Sequence, residues 1–259
     1  LILILGGAGL VGSGFARHCA SAGLPHTVIT RDNYLQSRGL SCDLLINANG
    51  NSRKPLARQS PLEDFDASVR SVRASLLDFP CSLYVHISSC DVYPDCSSAA
   101  LTREDLPLDP VRQSPYGFHK YLAELCVQHA APRWLIARCG GFIGPGLKKN
   151  AIFDVLGGGP LWLDPASRLQ FLHTDAAAAA ILRLAASAPA NQIYNVCGRG
   201  TIAIQEVIDA LGAPVPVQPA SPAVHYEVNI HKALALVNLP DTRAAVLDFV
   251  RSQAAPFHE

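Results

Sequence analysis

The first twelve residues constrain the fold more than any other stretch. Leu1–Leu5 is a continuous apolar run, and Gly6-Gly7-Ala8-Gly9-Leu10-Val11-Gly12 follows it directly. A helical pattern then continues to about Ala22, where Gly23 makes a stop. Five apolar residues are too few for a signal h-region or a membrane span, and read as a buried strand. Strand, Gly-rich turn and helix together form a dinucleotide-binding entry. Gly6 permits the tight turn, Gly9 lets the backbone approach a pyrophosphate, and Gly12 lets the helix pack close to the strand. Leu10 and Val11 open the helix, whose N-terminal N–H groups face the phosphates. The spacing G-x-x-G-x-x-G differs from the G-x-G-x-x-G of many dehydrogenases.

Composition narrows the class. The chain has 259 residues, a formal net charge of zero and 49% hydrophobic residues. That is enough for one large domain, or one domain with a small appended lobe. The neutral balance argues against a nucleic-acid partner or a polybasic membrane surface. The Ala176–Ala180 run lies between Asp175 and Arg183 and reads as helix, not as a span. Eight cysteines (19, 42, 81, 90, 96, 126, 139 and 197) form no C-x-x-C. They read as reduced, mostly buried thiols of a cytoplasmic protein, and no metal site is expected. The sequence contains no Met, even at position 1, so short spacings carry more weight here than long ones.

A β/α alternation continues along the chain. Thr27–Thr30 is the second strand and ends in Arg31-Asp32. An acid there holds ribose hydroxyls and an Arg accommodates a 2′-phosphate, so NAD and NADP both stay open; a solvated charge pair is the plainer reading. Leu44–Asn47 is the next strand, with Asn47 and Ala48 at its carboxyl end. The gap from Asp32 to Asp43 is too short for a full helix and another strand, so either the usual third strand is missing, which is the expectation, or the sequence lacks residues there. Glu63–Phe79 reads as a helix with Phe65, Val69, Val72 and Leu76 on one stripe, and Arg70 and Arg73 outside.

Leu83–Ile87 is a buried strand that leads into Ser88-Ser89-Cys90-Asp91-Val92-Tyr93. Ligands of open parallel sheets bind beyond the carboxyl ends of strands, which is where Ser88 and Ser89 stand; a turn or cap is the alternative for this serine pair and for Asp91. Trp134–Ala137 is a further strand, followed by Arg138 through Gly146 and then Lys148-Lys149-Asn150. Ile152–Leu156 looks helical. Leu161–Leu163 and Leu169–Leu172 look like short strands of a smaller lobe. Asp175–Ala186 is a helix, Gln192–Val196 a strand returning to the main sheet, and Ile202–Leu211 a helix. Prolines 214, 216, 219 and 222 mark a loop before one or two last helices, His231–Val237 and Arg243–Ser252.

The chemistry concentrates in Ser114-Pro115-Tyr116-Gly117-Phe118-His119-Lys120. Ser114 suits an N-cap and Pro115 the first helical position, so a helix runs through Tyr116–Ala130. Tyr116 and Lys120 are then one turn apart on one face. A free Tyr has a pKa of ~10 and is a poor base; an ammonium beside it favours the phenolate. The alternative is an amphipathic helix with Tyr on its core edge.

Together these segments resemble the extended short-chain dehydrogenase/reductases of the NAD-dependent epimerase/dehydratase type. The Gly6–Gly12 turn looks like the family's cofactor loop, and Ser88 through Tyr93 like its serine strand end. Tyr116 and Lys120 look like its catalytic pair, Arg138 through Gly146 like its R-x-x-x-x-x-G-P-G segment, and Phe171 through Asp175 like its return to the sheet. The resemblance implies an α/β fold, a Rossmann-type doubly wound parallel sheet with a small C-terminal substrate lobe. Residues 1–143 with 171–198 would be the NAD(P)-binding part, and 144–170 with 199–259 the lobe.

It also implies roles. Ser89 would hydrogen-bond the substrate oxygen, Tyr116 would move the hydroxyl proton, and Lys120 would lower the Tyr116 pKa and hold the nicotinamide ribose, with Asp91 a further catalytic candidate. NAD or NADP would lie against Gly6, Gly9, Leu10, Val11, Gly12, Arg31, Asp32, Asn47, Ala48, Ser88, Tyr116 and Lys120. The substrate, a sugar derivative, would meet Ser89, Tyr93, Gly141, Lys149, Asn150 and Arg168. A homodimer through the Glu63–Phe79 and Tyr116–Ala130 helices is the implied assembly.

Two departures stand out. Nucleotide-sugar enzymes of the family often carry Asn where Gly141 stands and Arg where Leu169 stands, with Arg168 one place away. The dehydratases carry an Asp-Glu pair where this chain has Cys90-Asp91, and a thiol of pKa ~8.5 is a weak proton donor. The expected activity is therefore epimerisation or oxidoreduction of a sugar. An NADP-dependent ketone or aldehyde reductase, and a non-catalytic NAD(P)-sensing protein, are the alternatives.

Overall fold

The computed structural model describes residues 1–254. In chain order the elements begin with β1 (Ile2–Leu5), α1 (Leu10–Ser21), β2 (His26–Ile29), the one-turn α2 (Tyr34–Ser37) and β3 (Cys42–Asn47). Helices α3 (Lys54–Gln59) and α4 (Pro61–Phe65) come next. A π-helical turn (Asp66–Arg70), α5 (Ser71–Asp78) and β4 (Cys81–Ser89) follow. Then come α6 (Pro115–Ala130), β5 (Trp134–Cys139), β6 (Gly141–Ile143) and α7 (Ala151–Leu156). The chain closes with β7 (Arg168–Leu169), β8 (Phe171–His173), α8 (Thr174–Ser187), β9 (Gln192–Val196), β10 (Ile202–Ala203), α9 (Ile204–Leu211), α10 (His231–Leu234) and α11 (Thr242–Ala254).

Six parallel strands form the main sheet in the order β2-β1-β3-β4-β5-β9. Strands buried on both faces need helices on both, and the sheet is doubly wound as the alternation predicts. On one face Phe15 and Cys19 of α1 and Ala177, Ile181 and Leu184 of α8 pack against Ile4, Ile46 and Val85. On the other, Val72 of α5 and Ala123 and Val127 of α6 cover Leu3, Leu45, Tyr84 and Ile136. Only the short α2 stands between β2 and β3, so β2 is an outer strand of the sheet, as the short 33–43 connection predicts.

A separate apolar cluster joins Ile143, Ile152, Val155 and Leu161 to Phe171, Ile204, Val207, Val246 and Val250. Its small strands differ from those read in the sequence. Leu161–Leu163 is not a strand; Leu161 alone bridges to Val217. Residues 169–172 are divided, because Arg168–Leu169 pairs antiparallel with Ile202–Ala203 while Phe171–His173 pairs parallel with Gly141–Ile143. Helix α9 accordingly starts at Ile204, and α10 ends at Leu234.

The Glu63–Phe79 segment is helical, but its stripe is displaced. The π turn inserts one extra residue, which rotates everything before it. Asp64 and Ser68 are buried in place of Phe65, which is 38% exposed. Among the described residues no helix is long and apolar enough to cross a membrane, and all eight cysteines are free thiols.

Candidate active site

The Gly-rich turn has the geometry that close approach demands. Gly6 has φ +73°, and a Cβ on Gly12 would stand 2.2 Å from the Gly6 carbonyl oxygen, so the helix packs directly on the turn. Gly9 is the N-cap of α1 and offers no side-chain cap. The N–H groups of the first turn, at Leu10 and Val11, are left for an anion, which is what a dinucleotide pyrophosphate requires. Gly6 also abuts the next strand end: its Cβ would lie 3.0 Å from the Ala48 carbonyl oxygen. Arg31 and Asp32 stand exposed just past β2. These residues fit the dinucleotide that the sequence implies.

Helix α6 delivers the second half. The Ser114 Oγ accepts a hydrogen bond from the Gly117 N–H at 3.1 Å, and Pro115 occupies the first turn, as predicted. Gly117 is a positioning residue that sequence reasoning missed. A Cβ there would lie 2.1 Å from the Asp91 carbonyl oxygen, so only Gly lets α6 rest on the turn that follows β4. That contact brings the buried Tyr116 beside Ser89 and Asp91. The Ser89 Oγ caps the Cys90–Val92 turn, accepting from the Asp91 N–H at 3.2 Å, and donates to the Asp91 carboxylate at 3.1 Å.

The electrostatics of Tyr116 differ from expectation. Burial pushes its phenol up, and the Asp91 and Asp64 carboxylates push the same way against the Ser89 hydroxyl, which pulls it down. Lys120 does not lower it here: its ammonium donates to the Ile87 carbonyl at 3.1 Å. Burial in turn lowers the Lys120 pKa, opposed by Glu124, Cys139 and the same two aspartates. His86, wholly buried, is pushed well below its ordinary range by burial and then by Lys120. The site thus holds a protonated phenol at neutral pH.

Several predicted residues are spent elsewhere. Ser88 donates to Glu124, which is paired inside the protein with Arg138 at 2.7 Å. Tyr93 is buried, its OH accepting from Arg138 and donating to Asn195 at 2.9 Å. Asn47 gives its amide to Ser75 and Tyr84. Asn150 caps α7, accepting from the N–H groups of Ile152 and Phe153. Gly141 is small because Phe171 lies over it, with a Cβ only 2.7 Å from the ring. Arg168 is exposed and donates to Thr201 at 3.1 Å. The Cys90 thiol is buried, donates to the Arg138 carbonyl at 3.2 Å and is pushed up by burial, which leaves it unfit as an acid.

Other groups were not foreseen. Lys54 of α3 donates to the Asp91 carboxylate at 2.8 Å and stands over the Tyr226 ring, 5.9 Å from its centroid. Asp64 accepts from Asn51 at 2.7 Å and lies 2.6 Å from His119 Nδ1, three residues past Tyr116. Nothing in the pattern announces Lys54, which is distant in sequence from Asp91. The His between Tyr116 and Lys120 was visible but carried no assigned role.

Comparison with known proteins settles the family. The sequence profile described as the NAD dependent epimerase/dehydratase family matches residues 2–197. The chain belongs to the NAD-dependent epimerase/dehydratase family. Among curated family relatives, the GDP-6-deoxy-D-mannose reductase of Pseudomonas aeruginosa is 32% identical over 144 residues. That match spans 49% of this chain and 47% of the relative, so the chain covers about half the length of the curated relative it matches. Among solved structures, a UDP-galactose 4-epimerase superposes with a TM-score of 0.80 at 20% identity, covering 98% of both chains. RMD from Pseudomonas aeruginosa complexed with NADPH gives 0.77 at 22%, covering 98% of this chain and 99% of that one. The dTDP-glucose 4,6-dehydratase DesIV from Streptomyces venezuelae, with NAD and TYD bound, gives 0.78 at 21%, covering 96% and 95%. These superpositions extend the Rossmann-type fold over nearly the whole chain, and the family is NAD-dependent.

Proposed function

We propose that this chain is an NAD(P)-dependent epimerase or oxidoreductase of a sugar, a nucleotide sugar in the first instance, working through Ser89, Tyr116 and Lys120. The observation that carries the reading is Tyr116 held beside Ser89 at the carboxyl end of β4, on the sheet edge that the Gly6–Gly12 turn shares. Bound NAD(P) supplies hydride exchange at the substrate carbon. With substrate in place the Ser89 O–H turns from the Asp91 carboxylate to the substrate oxygen, and Tyr116 gives its proton to that oxygen as negative charge develops there. Lys120 is the cation beneath them, held by the Ile87 carbonyl. The Asp91 N–H, which donates to the Ser89 Oγ, keeps the hydroxyl in place, and the Asp91 carboxylate is itself held by Lys54.

The reductase reading has its own support. The Tyr116 phenol keeps its proton through neutral pH, which is the state that reduction starts from, and the curated relative is a reductase. Elimination is not part of the proposal, since Cys90 is buried away from the site. The division into a dinucleotide part (1–143 with 171–198) and a substrate lobe (144–170 with 199–259, the last five residues lying outside those described) belongs to the same reading, as do a homodimer and a cytoplasmic setting for the free thiols.

The test is to identify small molecules released from the purified protein by mass spectrometry, then assay a panel of nucleotide hexoses with NAD and NADPH. Tyr116→Phe should cut turnover by ~10²–10⁴-fold and leave dinucleotide affinity within about twofold. Turnover of the variant near that of the parent, or 4-keto-6-deoxy products at ordinary rates, would overturn the proposal.

A further inference from the structure

Two loops outside the Ser89–Tyr116–Lys120 set meet across the mouth of the site. One follows β3 and carries Arg53 up to Lys54 at the start of α3; the other follows β6 and carries Lys149. The Lys149 ammonium donates to the Ser52 carbonyl, and to the Ser52 Oγ at 2.9 Å, which places it next to Arg53. Lys54 donates to Asp91 at 2.8 Å, two residues past Ser89. Three cations therefore converge beside the reacting groups. Among the described residues only Lys54 has a carboxylate partner, Asp91; Arg53 and Lys149 make no ion pair. Their mutual repulsion is felt at Lys149, whose ammonium is disfavoured by burial first and then by Arg53 and Lys54.

Three like charges with a single carboxylate partner, on Lys54, are a poor arrangement for an empty surface and a good one for a polyanion. The positions where nucleotide-sugar enzymes of the family often carry Asn and Arg offer no substitute. Gly141 has no side chain, Leu169 is apolar, and the Arg168 guanidinium is turned to Thr201. The first-turn N–H groups of α1, which no side chain caps, are the anion site that the Gly-rich turn offers to a dinucleotide.

We propose that Arg53, Lys54 and Lys149 form a clamp for a phosphoryl group, the diphosphate of a nucleotide-linked substrate, joining the two loops across the reacting carbon. The proposal rests on the nucleotide-sugar reading of the same site. It assigns the anion to the loop after β3 together with Lys149 at the start of the lobe, rather than to the positions of Gly141, Arg168 and Leu169.

The test is binding, measured by titration calorimetry on the full chain with NADH saturating, so that the Gly-rich turn is filled. The probes are inorganic pyrophosphate, UDP, GDP and uridine. Pyrophosphate and at least one nucleoside diphosphate should bind, with affinity falling as salt rises, and uridine should bind at least tenfold more weakly than UDP. Arg53→Gln and Lys149→Gln should each weaken pyrophosphate binding tenfold or more, and Lys149→Arg should restore most of it. Separate NADH titrations of these variants should stay within about twofold of the parent. No binding of pyrophosphate, UDP or GDP to the parent, or unchanged affinity in both Gln variants, overturns the clamp. A parallel loss of NADH affinity overturns it too, because the phosphoryl group would then be the dinucleotide's own. None of these readouts uses turnover, and Tyr116→Phe should bind pyrophosphate like the parent, so the clamp and the catalytic assignment fail separately.

Discussion

At the scale of single residues, Tyr116 is governed by what surrounds it more than by its partner one turn on. Asp91 and Asp64 both disfavour the phenolate, so removing either charge lowers the Tyr116 pKa. A phenol with a raised pKa stays protonated through neutral pH and loses its proton only on the alkaline side. In the oxidative direction, which needs phenolate, the rate should rise with pH, and in Asp91→Asn that rise should move to lower pH. The pH profile of kcat/KM for alcohol oxidation reads this directly, and an unmoved or upward-moved limb would contradict the role given to Asp91. Glu124 poses the opposite problem. It is wholly buried against Arg138, with Ser88 also bonded to it. Glu124→Gln would leave a buried guanidinium without its counter-charge, at a cost of about 3–5 kcal/mol. Urea unfolding should report a loss of that size, and a loss under 1 kcal/mol would mean that water reaches the pair.

At the scale of elements, the contact between α6 and the turn after β4 decides where the phenol stands. Gly117→Ala would drive a Cβ into the Asp91 carbonyl oxygen, which lies 2.1 Å from its ideal position. Overpacking of this kind costs about 1–3 kcal/mol, and the relief available is for the helix to lift away, taking Tyr116 from Ser89. Both the melting temperature and kcat should fall, kcat by tenfold or more, with dinucleotide affinity little changed; a fully active variant would show that the helix has room. The elements themselves were legible because each has a local cause. Leu1–Leu5 and Leu83–Ile87 are apolar throughout, Ser114-Pro115 starts a helix, and the short span after Asp32 leaves no room for a strand. What escaped was set by single-residue insertions and long-range meetings. The π turn at Asp66–Arg70 moved Asp64 inward and Phe65 outward, and periodicity assumes a constant turn. Tyr93, Asn47 and Asn150 sit where the motifs put them, yet their polar atoms serve the interior or a helix end. The backbone position was readable, and the direction of the side chain was not.

At the scale of the whole molecule, α4 and α6 lie side by side and carry apolar groups on their outer face. Leu62 is 81% exposed, Leu125 40% and Phe118 37%. A second copy offering the same face would cover them as a four-helix contact. Sedimentation at micromolar concentration should give a dimer, and Leu62→Glu with Phe118→Glu should give a monomer; a monomeric parent would remove the assembly from the proposal. The cores carry a different implication, one about time. Val228, Ile230, Ala233 and Leu239 complete the packing of the main sheet, and Val246, Leu247 and Val250 of α11 complete the smaller cluster. Neither hydrophobic interior can be finished from the first two hundred residues. A chain emerging from the ribosome N-terminus first would hold its main sheet without the layer that residues 228–239 supply, and then an open smaller cluster until α11 appeared. Vulnerability to proteases and to self-association should therefore be concentrated in the roughly 10–50 s of synthesis rather than in the mature fold; shortening the chain before Thr242 should open the smaller cluster, and shortening it before Val228 should expose both interiors.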